Sequence, residues 1–235
     1  MISYEEMVGK LREIKDKGWI RTHRSGTTGI GKTLEDLLGI PENNIPSPNG
    51  IRVELKSARK NATSMLTLFT KSPLPDSANT VLLRRFGYPS RRENGRNELH
   101  TTVNAVDFNN LRGRKGFKIR ISCDRIDLIT PDLEIVGYWD RETLKESFER
   151  KLPKVLYVKA ESRGTRDNEE FWFNEAWLLS EFDFNSFVNL LREKVILVDI
   201  RIGQYLDGRP HDHGTGFRVL PAKLDLCFLY REKVI

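Results

Sequence analysis

Between Ile51 and Lys56 the chain reads Ile-Arg-Val-Glu-Leu-Lys, apolar and polar residues alternating at every position. Successive side chains of a strand point to opposite faces. The run therefore fits a β-strand that packs Ile51, Val53 and Leu55 inward and leaves Glu54 and Lys56 together on the other face. The segments around it alternate between helix and strand patterns. Ser3 and Glu6 carry the signature of a capping box, and Met7, Leu11 and Ile14 recur at helical spacing, giving a first helix that ends near Gly18. A Gly/Thr-rich turn from Gly26 to Gly31 leads into a short helix from Lys32 to Leu38, stopped by Gly39. Pro41 to Gly50 reads as loop and Met65 to Phe69 as a further strand.

Residues 84–98, rich in Arg, Asn and Gly, read as a long polar loop. Phe117, Ile119, Ile121 and Cys123 alternate with polar residues, a strand with one dry face; a second strand through Ile129 and a third near Ile135 to Trp139 follow. Leu144, Phe148 and Leu152 mark an amphipathic helix stopped by Pro153, and Val155 to Ala160 is the strand that follows such a helix in an α/β core. Asp183 caps a helix carrying Phe184, Phe187, Leu190 and Leu191. Val195 to Ile200 and Phe217 to Leu220 are strands, with another apolar segment from Leu224 to Tyr230. The expected class is mixed α/β, in one or two compact lobes, with a soft division around residues 85 to 110.

The pair Glu54 and Lys56 has the form of a (D/E)xK half-motif. A carboxylate can hold Mg²⁺ through oxygen, and an adjacent ammonium can steady a phosphate or an attacking water. The tripeptide is weak by itself, because a solvated strand face accounts for it equally well. A complete site of this kind needs a second acid shortly upstream, after a proline, and there the chain has Pro48-Asn49. Asn49 offers a carbonyl oxygen without charge, which lowers metal affinity and activity. Glu35, on the short helix, is a candidate for an added carboxylate; a solvated helix residue is its plainer reading.

A second motif competes. Gly26 to Thr33 matches the phosphate-loop pattern G-x-x-x-x-G-K-[ST] in full, and Val195 to Asp199 has the form of the strand that ends in an acidic residue in NTPases. A phosphate loop follows a buried strand, yet Asp16 to Ser25 contains only Trp19 and Ile20 as apolar residues. A turn whose amides and Lys32 touch DNA phosphate accounts for the same residues more simply.

Near the C-terminus Asp199, Arg201, Tyr205, Arg209, His211, Asp212, His213 and Arg218 crowd together. Arg can donate in pairs to guanine and Asp can accept from cytosine, so the mixture suits base-edge readout in a major groove. Metal binding by His211 and His213 and a plain polar loop laced with salt bridges are the alternatives. With 39 Lys and Arg against 33 Asp and Glu, the formal net charge is +6, which favours an anionic partner and most simply nucleic acid. Lys71, Arg84, Arg85, Arg91, Arg92, Arg96, Arg112, Arg114 and Lys115 are candidates for phosphate contacts. Cys123 and Cys227 lie far apart and support neither a disulfide framework nor a zinc cluster, which suits a reducing cytoplasm. No apolar run approaches the roughly 20 residues of a membrane helix, and no secretory signal is visible.

The order of four stretches adds a more specific signal. Thr28 to Leu38 (TGIGKTLEDLL), Leu66 to Pro73 (LTLFTKSP), Asp199 to Gly203 (DIRIG) and His211 to Arg218 (HDHGTGFR) together resemble the MvaI/BcnI family of type II restriction endonucleases, over nearly the whole chain. The resemblance implies a PD-(D/E)xK, MutH-like mixed sheet flanked by helices, with two lobes around a DNA cleft. It implies an N-terminal catalytic lobe with its core over about residues 1–85, and a recognition lobe drawn largely from the C-terminal half. It further implies a monomer that hydrolyses double-stranded DNA with Mg²⁺ at CCWGG-like sites, leaving 5′-phosphates, beside a cognate methyltransferase in the host. Glu54, Lys56, Glu35 and position 49 would be catalytic, with Glu54 and Asn49 at the metal. Asp199, Arg201, Tyr205, His211, Asp212, His213 and Arg218 would read bases, while Lys32, Thr33, Lys71, Arg84 and Arg85 would touch the backbone. The departure is Asn49, where the family has its first catalytic Asp. An engineered Asp→Asn form, a naturally weak enzyme resting on Glu35 and Glu54, and a different alignment of the loop are the three explanations. A catalytically silent DNA-binding protein and, further off, a phosphate-loop NTPase are the rival functions.

Overall fold

A computed structural model describes residues 3–40, 45–46, 52–91, 95–152 and 154–235. Asn49, Ile51, Arg92 and nearly all of the expected Pro41–Gly50 loop lie outside the described residues. The chain forms two compact units, each assembled from separated segments: residues 1–64, 151–182 and 228–235 in the first, and 65–150 and 183–227 in the second. The expected division lies at residues 85 to 110; here the chain leaves the first unit after residue 64 and returns to it at 151.

The first unit is built on a mixed sheet. In spatial order its strands are Ile20–Arg21, Glu170–Ser180, Lys154–Arg163, Arg52–Arg59 and Ile45–Pro46, with Tyr230–Lys233 also pairing with Glu170–Ser180. Arg52–Arg59 runs parallel to Lys154–Arg163, and Glu170–Ser180 runs antiparallel to the latter. Helix α1 (Tyr4–Asp16) opens with the Ser3/Glu6 capping box and buries Met7, Leu11 and Ile14, as its spacing requires. Helix α2 (Gly29–Leu38) ends at Gly39 in the left-handed conformation. Both helices share one apolar core with Val53, Leu55, Leu156, Val158, Phe171, Phe173, Ala176 and Leu178. One face of the Arg52–Arg59 strand is thereby committed to the core, and Glu54 and Lys56 are turned to the other.

Helix α2 starts three residues earlier than the sequence indicates, at Gly29. A Cβ there would collide with the carbonyl oxygen of Arg24 and press on the Thr22 hydroxyl, so the absence of a side chain lets the turn fold tightly against the helix.

The second unit has an antiparallel sheet ordered Leu66–Thr70, Gly216–Val219, Ile196–Gln204, Asn97–Val103, Tyr88–Pro89, with Pro210–Asp212 pairing with Ile196–Gln204. A three-stranded sheet of Lys118–Ile121, Arg125–Ile129 and Ile135–Asp140 accompanies it. Helices α3 (Ala78–Phe86), α4 (Arg141–Lys151, its last residue counted with the first unit) and α5 (Phe184–Arg192) complete the fold. Asp183 caps α5 by accepting from the amides of Asn185 and Ser186. Phe69, Trp139, Phe148, Phe187 and Phe217 fill the core with ring centroids 4.9–6.1 Å apart. The long loop expected over residues 84–98 is instead the end of α3, the Tyr88–Pro89 strand and the start of Asn97–Val103. Leu82 and Leu83 anchor α3 in the core, while Arg84 and Arg85 occupy its exposed last turn.

Candidate active site and base-reading face

In the first unit, Glu54 and Lys56 stand on the sheet face opposite α1 and α2. Lys56 Nζ lies 3.4 Å from Glu54 Oε1, and Lys151 Nζ lies 3.7 Å from Glu54 Oε2. The three side chains are 13%, 18% and 31% exposed for Lys56, Glu54 and Lys151, so the group is sheltered yet open to solvent. Burial pulls the Lys56 ammonium below the ordinary lysine range; Glu54 opposes that shift and Lys151 adds to it. Lys151 escaped the sequence reading because it sits far along the chain and carries no motif.

The same face continues through Tyr157, aligned with Lys56, and Lys159, aligned with Glu175. Burial raises the pKa of Glu175, but donors from Trp177, Lys159 and Lys60 outweigh it and bring the carboxyl down to about 2. Burial also pushes the Tyr157 phenol up to about 12. Both groups hold one protonation state across the physiological range.

Glu54 offers hard oxygen ligands of the kind Mg²⁺ prefers, and in that respect the carboxylate fits the metal; the Lys56 and Lys151 ammoniums beside it compete with a bound cation. Among the described residues no group of three His, Cys, Asp or Glu side chains converges as a metal cage. Glu35 is half-buried on α2, which packs on the opposite face of the sheet, and it does not join such a group with Glu54. The paired histidines do not form one either.

In the second unit, strand alternation gathers the polar cluster on one sheet face. Asp199 pairs across the sheet with Thr102 and Gly216, Arg201 with His100, and Leu197 with Arg218. Asp199 is fully buried: Oδ1 accepts from the Thr102 hydroxyl at 3.0 Å, and Oδ2 meets Arg201 Nε at 2.7 Å and Arg218 Nε at 3.0 Å. Arg201 is thus held by Nε on a carboxylate at the root of its guanidinium, whereas Arg218 makes an ion pair there and donates from Nη2 to the Gly214 carbonyl at 3.4 Å. Arg201 is 38% and Arg218 19% exposed. Burial lowers the Arg218 pKa, with Asp199 opposing, but a guanidinium stays charged at any physiological pH.

Asp212 is similarly committed. Oδ1 accepts from the amides of Gly214 (2.8 Å) and Thr215 (2.6 Å), and Oδ2 from the Ser72 hydroxyl (2.6 Å) and the Asn79 amide (3.2 Å). Burial raises its pKa, and these four donors outweigh that and hold it below the ordinary range. Both aspartates, expected to read bases, hold neighbouring groups through the hydrogen bonds given above, and of the two only Asp199 is buried. Ser72, Asn79 and Thr102, which carry no motif in the sequence, supply donors to this network.

The exposed part is aromatic and imidazole. Tyr205, at the turn between Ile196–Gln204 and Pro210–Asp212, lies 4.5 Å from the His211 ring, which in turn lies 4.4 Å from His213. His213 packs over Gly203, where a Cβ would collide with the Nε2 edge of the imidazole. Gly203→Ala is expected to displace His213 while leaving the fold intact, since the clash is with the end of a movable side chain. Fluorescence anisotropy on specific and scrambled duplexes checks this: the preference should fall by about tenfold, the worth of one good base contact, with an unchanged melting temperature.

The remaining backbone-contact candidates separate. Thr33 is fully buried; its hydroxyl donates to the Gly29 carbonyl at 2.8 Å and accepts from the His23 amide at 2.9 Å, which removes it from any phosphate. Lys32 forms an ion pair with Asp36 at 2.7 Å, and Asp36 also meets His23 at 3.0 Å. A phosphate loop needs both residues directed to the nucleotide, so this arrangement speaks against the NTPase reading. Arg85 makes a two-pronged pair with Glu134, whereas Arg84 is exposed and Lys71 half-exposed.

Comparison with known proteins follows the geometry. No curated protein matches the chain. A solved complex of restriction endonuclease MvaI with its cognate DNA substrate superposes with a TM-score of 0.83 at 33% identity, over 98% of each chain. Restriction endonuclease MvaI in the absence of DNA gives 0.57 at 31% identity, over 100% of this chain and 99% of that one. The model of the MvaI/BcnI restriction endonuclease family matches residues 8–228. With its mixed sheet carrying the (D/E)xK pair, the chain belongs to the MvaI/BcnI family and is a type II restriction endonuclease of the PD-(D/E)xK class, acting on double-stranded DNA.

Proposed function

We propose that the chain cleaves CCWGG-like sites as a monomer in the cytoplasm, beside a cognate methyltransferase, using Glu54 and Lys56 for catalysis. The observation that carries the catalytic assignment is the sheltered Glu54 carboxylate with an ammonium at each oxygen, on the sheet face away from the helices. Family membership implies Mg²⁺-dependent catalysis; the metal, when bound, would activate water and neutralise charge developing on the phosphate. Glu54 would hold it, with the neutral carbonyl of Asn49 as a second oxygen. Lys56, partly desolvated, orients the attacking water and stabilises the charge that grows on the phosphate oxygens. Arg201 and Arg218 donate to base edges, aimed by Asp199. Tyr205, His211 and His213 complete the reading surface, and Asp212 fixes the loop that presents the histidines. Arg84 and Lys71 contact phosphate.

Glu54→Gln tests the catalytic half. Cleavage of a CCWGG plasmid in Mg²⁺ is expected to vanish while gel-shift affinity for a CCWGG duplex is retained. Equal loss of binding and cleavage would make Glu54 a structural residue instead. The second reading, a silent DNA-binding protein, is favoured by one observation, the missing carboxylate at Asn49.

A further inference from the structure

The two ammonium groups at Glu54 differ in how they are held. Lys56 is two residues along the same strand, so its place beside Glu54 is set by the backbone. Lys151 comes from the C-terminal end of α4, and its Nζ faces Oε2 at 3.7 Å, beyond hydrogen-bonding distance. Charge alone holds it there, at the end of a flexible stem. The oxygen it faces is the one that Lys56 leaves open. A divalent ion on a carboxylate oxygen sits at about 2.0–2.1 Å for Mg²⁺. An ion on Oε2 would therefore meet the Lys151 ammonium as a like charge a few ångströms away.

We propose that Lys151 is a placeholder cation: it neutralises the sheltered Glu54 carboxylate in the metal-free protein and must move aside when a divalent ion binds. This rests on the reading of Glu54 as the metal-holding carboxylate. Lys151 is then a positioning residue that sets the affinity of the site for metal.

Mn²⁺ binding to the DNA-free chain, followed by electron paramagnetic resonance of the free ion, separates the possibilities. Lys151→Met removes the charge and keeps the stem, and is expected to tighten Mn²⁺ about fivefold, the effect of one unit charge at about 4 Å in largely aqueous surroundings. Lys151→Arg keeps the charge and is expected to leave affinity near that of the parent. Glu54→Gln is expected to remove the binding. If Lys151→Met leaves Mn²⁺ affinity unchanged or weakens it while Glu54→Gln removes binding, the placeholder role is overturned and the metal reading of Glu54 stands. If Glu54→Gln leaves Mn²⁺ binding intact, the reading of Glu54 itself fails. Lys151→Gln repeats the measurement with a polar replacement, and the melting temperature of each variant confirms that the fold is shared.

Discussion

Asn49→Asp is expected to raise the rate of CCWGG cleavage in Mg²⁺ by about a hundredfold or more. By the family resemblance an aspartate there would supply a second negative oxygen ligand, and a metal ligand that steadies transition-state charge is worth several kcal/mol, of which about 3 kcal/mol already amounts to a hundredfold. Single-turnover cleavage of a plasmid carrying one site, under saturating protein, measures the chemical step apart from binding. Binding to the same site in the absence of metal should change little, since Asn49 is assigned to chemistry and not to base reading. An unchanged rate, with specific binding intact in both proteins, would favour the silent DNA-binding reading.

Asp199→Ala carries the second large effect. The carboxylate faces both Arg201 and Arg218, and its removal frees Arg201 and leaves Arg218 with its 3.4 Å bond to the Gly214 carbonyl. Each good base contact contributes about 1–3 kcal/mol of discrimination, so loss of aim in two of them should reduce the ratio of specific to scrambled binding by about a hundredfold. Affinity for scrambled DNA should hold or rise slightly, because a negative charge has been removed and both arginines can still reach phosphate. That split distinguishes aiming from simple damage, which would weaken both. Arg201→Ala or Arg218→Ala alone should show part of the same loss, and the double variant should approach the effect of Asp199→Ala.

Much of this was legible in the sequence where local pattern and tertiary role agree. The Ile51–Lys56 alternation located the Glu54 strand because one face of it is dry. The Ser3/Glu6 box and the Asp183 cap announced α1 and α5 through bonds made within one turn. Glu170–Ser180 escaped notice for a physical reason. Its register with Lys154–Arg163 shifts at Lys159/Ala160, so its inward residues run Phe171, Phe173, then Ala176 and Leu178, and the period of two is broken midway. The last turn of helix α3 falls within the expected 84–98 loop because it ends in two exposed arginines.

The candidate site divides in the same way. Glu54 and Lys56 were visible as neighbours on a strand, and the family resemblance placed the C-terminal polar cluster. It could not show that Asp199 is buried or that Asp212 is tied to its loop, since both depend on partners such as Thr102, Ser72 and Asn79 supplied by other segments. The residues of the full phosphate-loop match, already doubtful for want of a preceding strand, are engaged within the fold. Thr33 and Lys32 satisfy the pattern, yet one is buried by the packing of α2 and the other is held by Asp36 a turn away.

The most direct test of the account is to map, at nucleotide resolution, the ends left by the Asn49→Asp variant on a duplex with one CCWGG site, in Mg²⁺, with Glu54→Gln and Lys56→Ala added separately. A cut within the site on each strand leaving 5′-phosphates is expected, and no cut once either residue is replaced. Cuts at that position that persist without Glu54 or Lys56 would contradict it and place the chemistry elsewhere in the chain.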